Sequence, residues 1–145
     1  MNKLITNCSN IFKYSKNINY LYNCFYNYND NDWKQYIIKN PNNYEKQTIY
    51  KNNDFELVLI SWNKYAKTKY HSHPSNGCIL KVMDGYLIET KNIDNYQNDK
   101  LSNYRYNKIL IPDTISVSNN NDKHRIKTYK KSYSLHLYSP PGFYN

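Results

Sequence analysis

Glycine and proline are scarce in this 145-residue chain, at 3 and 5 residues. Neither a collagen-like repeat nor a Pro/Gly-rich disordered chain is compatible with that. Cysteine is nearly as rare: Cys8, Cys24 and Cys78 are an odd number without zinc-type spacing, which argues against a disulfide framework. No apolar run approaches the length of a membrane span, and residues 1–25 lack the uninterrupted apolar stretch of a signal peptide. A reducing, cytoplasmic setting with no membrane partner is the expectation. Acidic residues are in deficit, 11 against 20 Lys plus Arg for a net charge of +9, and Arg105 and Arg125 are the only arginines. Such an excess invites a nucleic-acid reading. Asn, Lys, Ile and Tyr are, however, the residues of A/T-dominated codons; they fill every segment alike, and the positive residues are scattered rather than striped. No nucleic-acid partner is therefore expected.

Aromatic residues are abundant, at 17% with 18 Tyr. A mean hydropathy of −0.95 would ordinarily suggest disorder, but tyrosine brings apolar area that hydropathy scales score as polar. A chain of this length suits one domain, which removes ~70% of its extended-chain surface from water. Residues 1–145 thus read as one globular domain, and a monomer is the expectation.

Two textures divide it near Pro41. Residues 3–39 place Leu4, Ile5, Cys8, Ile11 and Phe12, then Ile18, Leu21, Tyr22 and Phe25, then Trp33, Tyr36 and Ile37 at helical spacing. Two or three short helices follow from this, the last capped by Asp30 or Asn31. The part from residue 44 onward reads as β-barrel, with short apolar runs separated by Asn, Asp, Lys and Gly. The predicted strands are Phe55–Trp62, Cys78–Met83, Tyr86–Thr90, Lys108–Ile111, Thr114–Ser118 and Ser132–Ser139. Asp84-Gly85 between two of them is a hairpin signal, and the Asn-rich stretches 26–32, 92–98 and 119–122 read as loops. A strand series without intervening helices predicts a mainly-β antiparallel barrel or sandwich behind a small N-terminal helical layer. Cys8, Cys24, Trp33 and Trp62 read as core, and Lys81, out of phase with Cys78, as facing away from the Cys78 side.

His71-Ser-His73 carries the first chemistry. Residues i and i+2 of a strand share a face, so two imidazoles can reach one metal. The chain has only two more histidines, His124 and His136, both in the later strands. A third imidazole arriving from a distant strand would complete a three-nitrogen site with open positions. Read alone, the pair is equally compatible with surface or satisfied core histidines, and three imidazoles also suit zinc with an activated water.

The surrounding residues narrow this. His71-Ser-His73, then Cys78, Gly85 and Glu89, resembles the first metal motif of the cupin superfamily, with Cys78 in the usual carboxylate position, a substitution that marks the thiol dioxygenase branch. Ser134-Leu-His136-Leu-Tyr138-Ser-Pro-Pro141, preceded by His124-Arg125-Ile126, resembles the closing segment of the cysteine dioxygenase family. Asp32-Trp33, Tyr36, Tyr44, Tyr50 and the strand ending at Trp62 are similar to that family in order and character.

The resemblance implies a cupin-type antiparallel β-barrel in which His71, His73 and His124 hold Fe(II), with a small-molecule thiol and O2 as the partners. It implies oxidation of a thiol, L-cysteine first, to the sulfinic acid. Cys78 and Tyr138 would form a thioether, His136 would hydrogen-bond the Tyr138 hydroxyl, and Ser134 would extend that network. The family's substrate-binding Arg is expected two residues after Tyr50, where this chain has Asn52 with Lys51 beside it, so Tyr50, Lys51 and Asn52 are the expected substrate contacts. Cysteamine, a mercapto acid or a protein's N-terminal Cys are alternative substrates, and a metal-free cupin binding module is the alternative of another class.

Overall fold

The computed structural model describes residues 1–97 and 100–143. Helix α1 spans Asn2–Phe12 and α2 Tyr22–Asn27, with 3-10 turns at Ile18–Leu21 and Asp32–Tyr36. The strands are β1 Tyr44–Lys51, β2 Glu56–Trp62, β3 Gly77–Asp84, β4 Leu87–Gln97, β5 Lys100–Leu110, β6 Ile115–Ser118, β7 Lys123–Lys127 and β8 Ser132–Ser139. They form a five-stranded sheet ordered β1-β2-β8-β3-β6 and a three-stranded sheet ordered β5-β4-β7. All pairings are antiparallel.

The large sheet is buried on both faces, and residue parity decides which face a side chain joins. Val58, Ile60, Trp62, Cys78, Leu80, Val82 and Tyr138 point inward and meet Leu87, Leu110 and Ile126 of the small sheet. Leu57, Leu59, Ile79, Leu135 and Leu137 point outward and pack under Leu4, Cys8, Phe12, Phe25 and Trp33 of the helical layer. This double burial is why β2 reads as an unbroken apolar run rather than an alternating one. Lys81 belongs to the outward set, as its phase predicts, and its ammonium donates to the carbonyls of Phe25 at 2.9 Å and Tyr28 at 2.6 Å.

Several expectations are corrected. Asp84-Gly85 does not close a hairpin: β3 lies in the large sheet and β4 in the small one, so the turn carries the chain between sheets. Gly85 is needed there because its φ is +77° and a Cβ would stand 2.2 Å from the Ser132 hydroxyl. The stretch 92–97 is strand, not loop, and residue 98 lies outside the described residues; β4 and β5 pair in unbroken register from Leu87↔Leu110 to Gln97↔Lys100. The strand expected at Lys108–Ile111 therefore begins at Lys100. Arg105–Ile109 of β5 is exposed, so these five residues have no buried face to produce an alternating pattern. Asn31 stands at the predicted N-cap, but its side chain makes no capping bond.

Candidate metal centre and cavity

His71 and His73 lie on an extended segment between β2 and β3 rather than on a continuous strand. It follows β7 through isolated bridges at Lys67↔Lys127 and His71↔His124. At the second bridge the two residues exchange both backbone hydrogen bonds, at 2.9 and 3.1 Å, which sets their side chains next to each other. His71, His73 and His124 each offer one nitrogen, all within 4.8 Å of one another.

The outer nitrogens define how these rings are protonated. His71 Nδ1 faces the Lys69 carbonyl at 2.8 Å, His73 Nδ1 the Asp122 carbonyl at 2.9 Å, and His124 Nδ1 the Glu89 carboxylate at 2.7 Å. A carbonyl or an ionised carboxylate can only accept, so each Nδ1 carries a hydrogen, leaving Nε2 as the lone pair each ring can offer. Those lone pairs converge: Nε2 of His124 is 3.0 Å from Nε2 of His73 and 2.9 Å from Nε2 of His71. Burial, followed by the neighbouring His124, lowers His71 to about 4 and His73 to about 3, so both rings are neutral at pH 7. Three Nε2 atoms at such separations crowd one another unless a proton or a cation stands between them. The donor set fits a divalent transition metal with open positions, the all-imidazole choice.

A second network lies deeper, on the inward face of β8. Trp62 Nε1–H donates to Ser134 Oγ at 2.7 Å, and Ser134 Oγ lies 2.7 Å from His136 Nε2. Having accepted from Trp62, the serine hydroxyl donates to Nε2, so Nδ1 carries the His136 hydrogen and donates to the Tyr138 oxygen at 3.3 Å. Burial holds His136 well below its ordinary pKa, with Lys46 adding to the effect. Cys78 Sγ is 4.0 Å from His136 Nδ1, and burial pushes its thiol pKa up. Cys78 and Tyr138 are direct cross-strand partners in the β3–β8 ladder.

Both groups open onto one cavity of about 970 Å³, lined by the three histidines, Cys78, His136 and Tyr138 among others. Lys46, Lys67, Lys69 and Lys123 also line it, and no carboxylate does among the described lining residues. Of the residues expected to meet substrate, none lines it. A bulge at Ile49 moves the β1–β2 register from Thr48↔Val58 to Tyr50↔Leu57, turning Tyr50 onto the helical side, where it packs on Phe55 at 5.6 Å. Lys51 is exposed at the end of β1, and the Asn52 side chain accepts from the Asp54 and Phe55 amides at 2.8 Å each. Before the bulge, Tyr44 and Lys46 do face the cavity, and the Lys46 ammonium lies 4.8 Å over the Tyr138 ring. Sequence reading missed Lys46; the signal was a Tyr-x-basic step at Tyr44, one turn of the pattern earlier than the one chosen.

Two facing antiparallel sheets with converging histidines at the cavity define a cupin. An RmlC-like cupin from Shewanella frigidimarina shares the fold, with a TM-score of 0.56, 17% identity, and coverage of 76% of this chain and 88% of that one. The chain matches the family model for cysteine dioxygenase type I over residues 3–144 and belongs to that family. It is 27% identical to cysteine dioxygenase type 1 of Danio rerio over 80% of this chain and 61% of the relative. The human cysteine dioxygenase type 1 is 28% identical over 76% of this chain and 58% of the relative. The chain thus spans about 60% of the length of the curated relatives it matches.

Proposed function

We propose that this chain is a non-haem Fe(II) thiol dioxygenase whose first substrate is L-cysteine, with His71, His73 and His124 holding the iron. The convergence of three imidazole Nε2 atoms in a cationic cavity carries the reading. Bound there, Fe(II) would supply the Lewis acidity that favours thiolate over thiol and the redox chemistry that lets dioxygen react with sulfur. The overall change is R–SH plus O2 to R–SO2H, both oxygen atoms ending on sulfur.

The protein's own groups divide the remaining work. Three uncharged ligands leave the cation's charge available to an anionic thiolate, which a carboxylate ligand would partly cancel. Lys46 draws the substrate carboxylate toward the inward face of β1, in the role expected of an Arg two residues after a Tyr; Tyr44 is that Tyr. The half-buried ammonium is a point charge rather than a planar fork, so this anchor is more permissive than arginine. His136, fixed by Ser134 and Trp62, presents N–H to the Tyr138 oxygen and holds that hydroxyl at the cavity wall.

A Cys78–Tyr138 thioether belongs to the same reading. Sγ and a ring carbon beside the hydroxyl each lose one hydrogen, and dioxygen takes the two electrons. Residues directly opposed on antiparallel strands stand close enough for such a bond.

Purified protein loaded anaerobically with Fe(II) should consume O2 and form sulfinate with cysteine, in equal amounts. Loaded protein that consumes none with cysteine, cysteamine or 3-mercaptopropionate would overturn the reading. Peptide mapping should find the Cys78 and Tyr138 peptides joined and two hydrogens lighter than their sum.

A further inference from the structure

Of the three histidines, His124 alone is backed by a charged group. Its Nδ1–H meets the Glu89 carboxylate at 2.7 Å, whereas His71 and His73 meet backbone carbonyls. Glu89 stands on β4, is 1% exposed, and also accepts from the Ser116 hydroxyl at 2.9 and 3.2 Å. Ser116 belongs to β6 in the large sheet, so the carboxylate is held from both sheets at once. Burial alone would favour the neutral acid, and the hydrogen bonds from His124 and Ser116 oppose it. A buried charge is costly unless it is paired and hydrogen-bonded. His124 and Ser116 meet the hydrogen-bonding requirement, and a cation on the far side of the His124 ring would add counter-charge through the imidazole.

We propose that Glu89 is a positioning residue for the metal centre, acting through His124: it fixes the tautomer that aims Nε2 at the cation and sets one full negative charge a single imidazole away. The inference rests on the reading that the triad binds a divalent metal, and not on the identity of the thiol. It accounts for a ligand set that is neutral toward substrate while the centre as a whole is partly compensated from behind. The open positions then remain free for anionic ligands, and the negative charge lies on the side of the ring away from the cavity.

The test separates charge from shape. Glu89→Gln keeps the side chain's size and can still accept from His124 through its amide oxygen, with its NH2 turned to Ser116; Glu89→Ala removes acceptor and charge together. Metal-free wild type, both variants and His124→Ala are titrated anaerobically with Co(II) against a competing chelator, and the visible Co(II) bands are recorded with the melting temperature of each metal-free protein. Groups behind a ligating histidine typically matter 10–100-fold in affinity. We expect about tenfold weaker binding and shifted bands in Glu89→Gln at an unchanged melting temperature, and up to about a hundredfold in Glu89→Ala. Glu89→Gln is the decisive variant if Glu89→Ala does not fold. Affinity within twofold of wild type in folded Glu89→Gln, with His124→Ala losing the metal, overturns this proposal alone. A wild type that binds no Co(II) at the triad overturns it together with the metal reading.

Discussion

On the outer face of the large sheet, Lys81 buries its ammonium against the carbonyls of Phe25 and Tyr28. On the inner side, Lys46 carries its ammonium over the Tyr138 ring at the cavity wall. Burial lowers the pKa of both, so desolvation does not distinguish them. Their surroundings do. Lys81 joins a helix end to a strand, with the Asp113 carboxylate 3.9 Å from its ammonium, while Lys46 shares a cavity with histidines, a thiol and a phenol. The same contrast runs through β8, where Leu135 and Leu137 feed the apolar cluster under the helices and Ser134, His136 and Tyr138 form a polar chain. One strand thus turns its odd residues to the apolar layer and its even ones to the polar chain at the cavity, and substitutions should separate along that parity.

The largest effect is expected on the inner side. His124→Ala removes the ligand that stands within 3.0 Å of both other Nε2 atoms. Two imidazoles seldom retain a metal in fixed geometry, so bound iron and sulfinate formation should both be lost. Elemental analysis after anaerobic loading checks this; full iron content would remove His124 from the site.

Next in size is the response to acid. His71 and His73 titrate near 4 and 3 in the folded protein against about 6.5 in an unfolded chain. The unfolded state therefore binds more protons over that interval, and stability falls as protons are added. Metal-free protein should hold its full stability above about pH 6.5 and lose it progressively as pH drops toward 4 and then 3. His124, Glu89 and, for His71, Lys46 are the neighbouring charged or titratable groups. Thermal melts in chelator between pH 7 and 4 give the curve, and a flat one would refute the assignment of buried neutral rings.

On either side of the Ile49 bulge the comparison sharpens to two lysines of one strand. Lys46→Met should weaken cysteine binding by roughly ten to a hundredfold, the worth of a charge-assisted contact of ~1.5–3 kcal/mol. Cysteamine, which has no carboxylate, should be nearly indifferent, and Lys46→Arg should restore cysteine. Lys51→Ala and Asn52→Arg should change the cysteine-to-cysteamine ratio little. Steady-state KM values for both thiols decide it: an effect at Lys51 equal to that at Lys46 would undo the cavity assignment.

Much of this architecture is legible in the residues because local chemistry and tertiary role agree. The outward leucines and the helical prefix carry ordinary apolar periodicity, and β8 has the boundaries its pattern predicts. His71 and His73 are marked by their spacing, and the Ser134-x-His136-x-Tyr138 run by its resemblance to the cysteine dioxygenase family. What escaped depends on nonlocal pairing. The bulge at Ile49 reverses which face Tyr50 presents, and only the partner strand reveals it. Asp84-Gly85 looks like a hairpin because turn chemistry is blind to which sheet the next strand joins. Glu89 is one acid among eleven until β4 sets it behind His124.

The smallest expected effect belongs to the outer face and completes the pair of lysines. Lys81→Met keeps length and apolar bulk but takes the ammonium from the Phe25 and Tyr28 carbonyls, from the Asn29 side chain at 3.3 Å and from the Asp113 carboxylate at 3.9 Å, while Phe25 still accepts from the Tyr28 N–H at 3.2 Å. A buried acceptor left unsatisfied costs ~1–3 kcal/mol. Some of that is offset because methionine no longer demands desolvation of a charge, a trade that often favours the apolar replacement when the pairing is imperfect. The Tyr28 carbonyl stands past the helix end, beyond the last intrahelical bond, so its loss of a donor outweighs the saving. The net expectation is a loss of about 1–3 kcal/mol in chemical denaturation, with KM for cysteine and metal content unchanged. A Lys81→Met protein as stable as wild type would mean that the carbonyls find other donors. One with altered KM would mean that the two faces of the sheet are coupled, and the separation by parity would fail at the strand that carries Cys78.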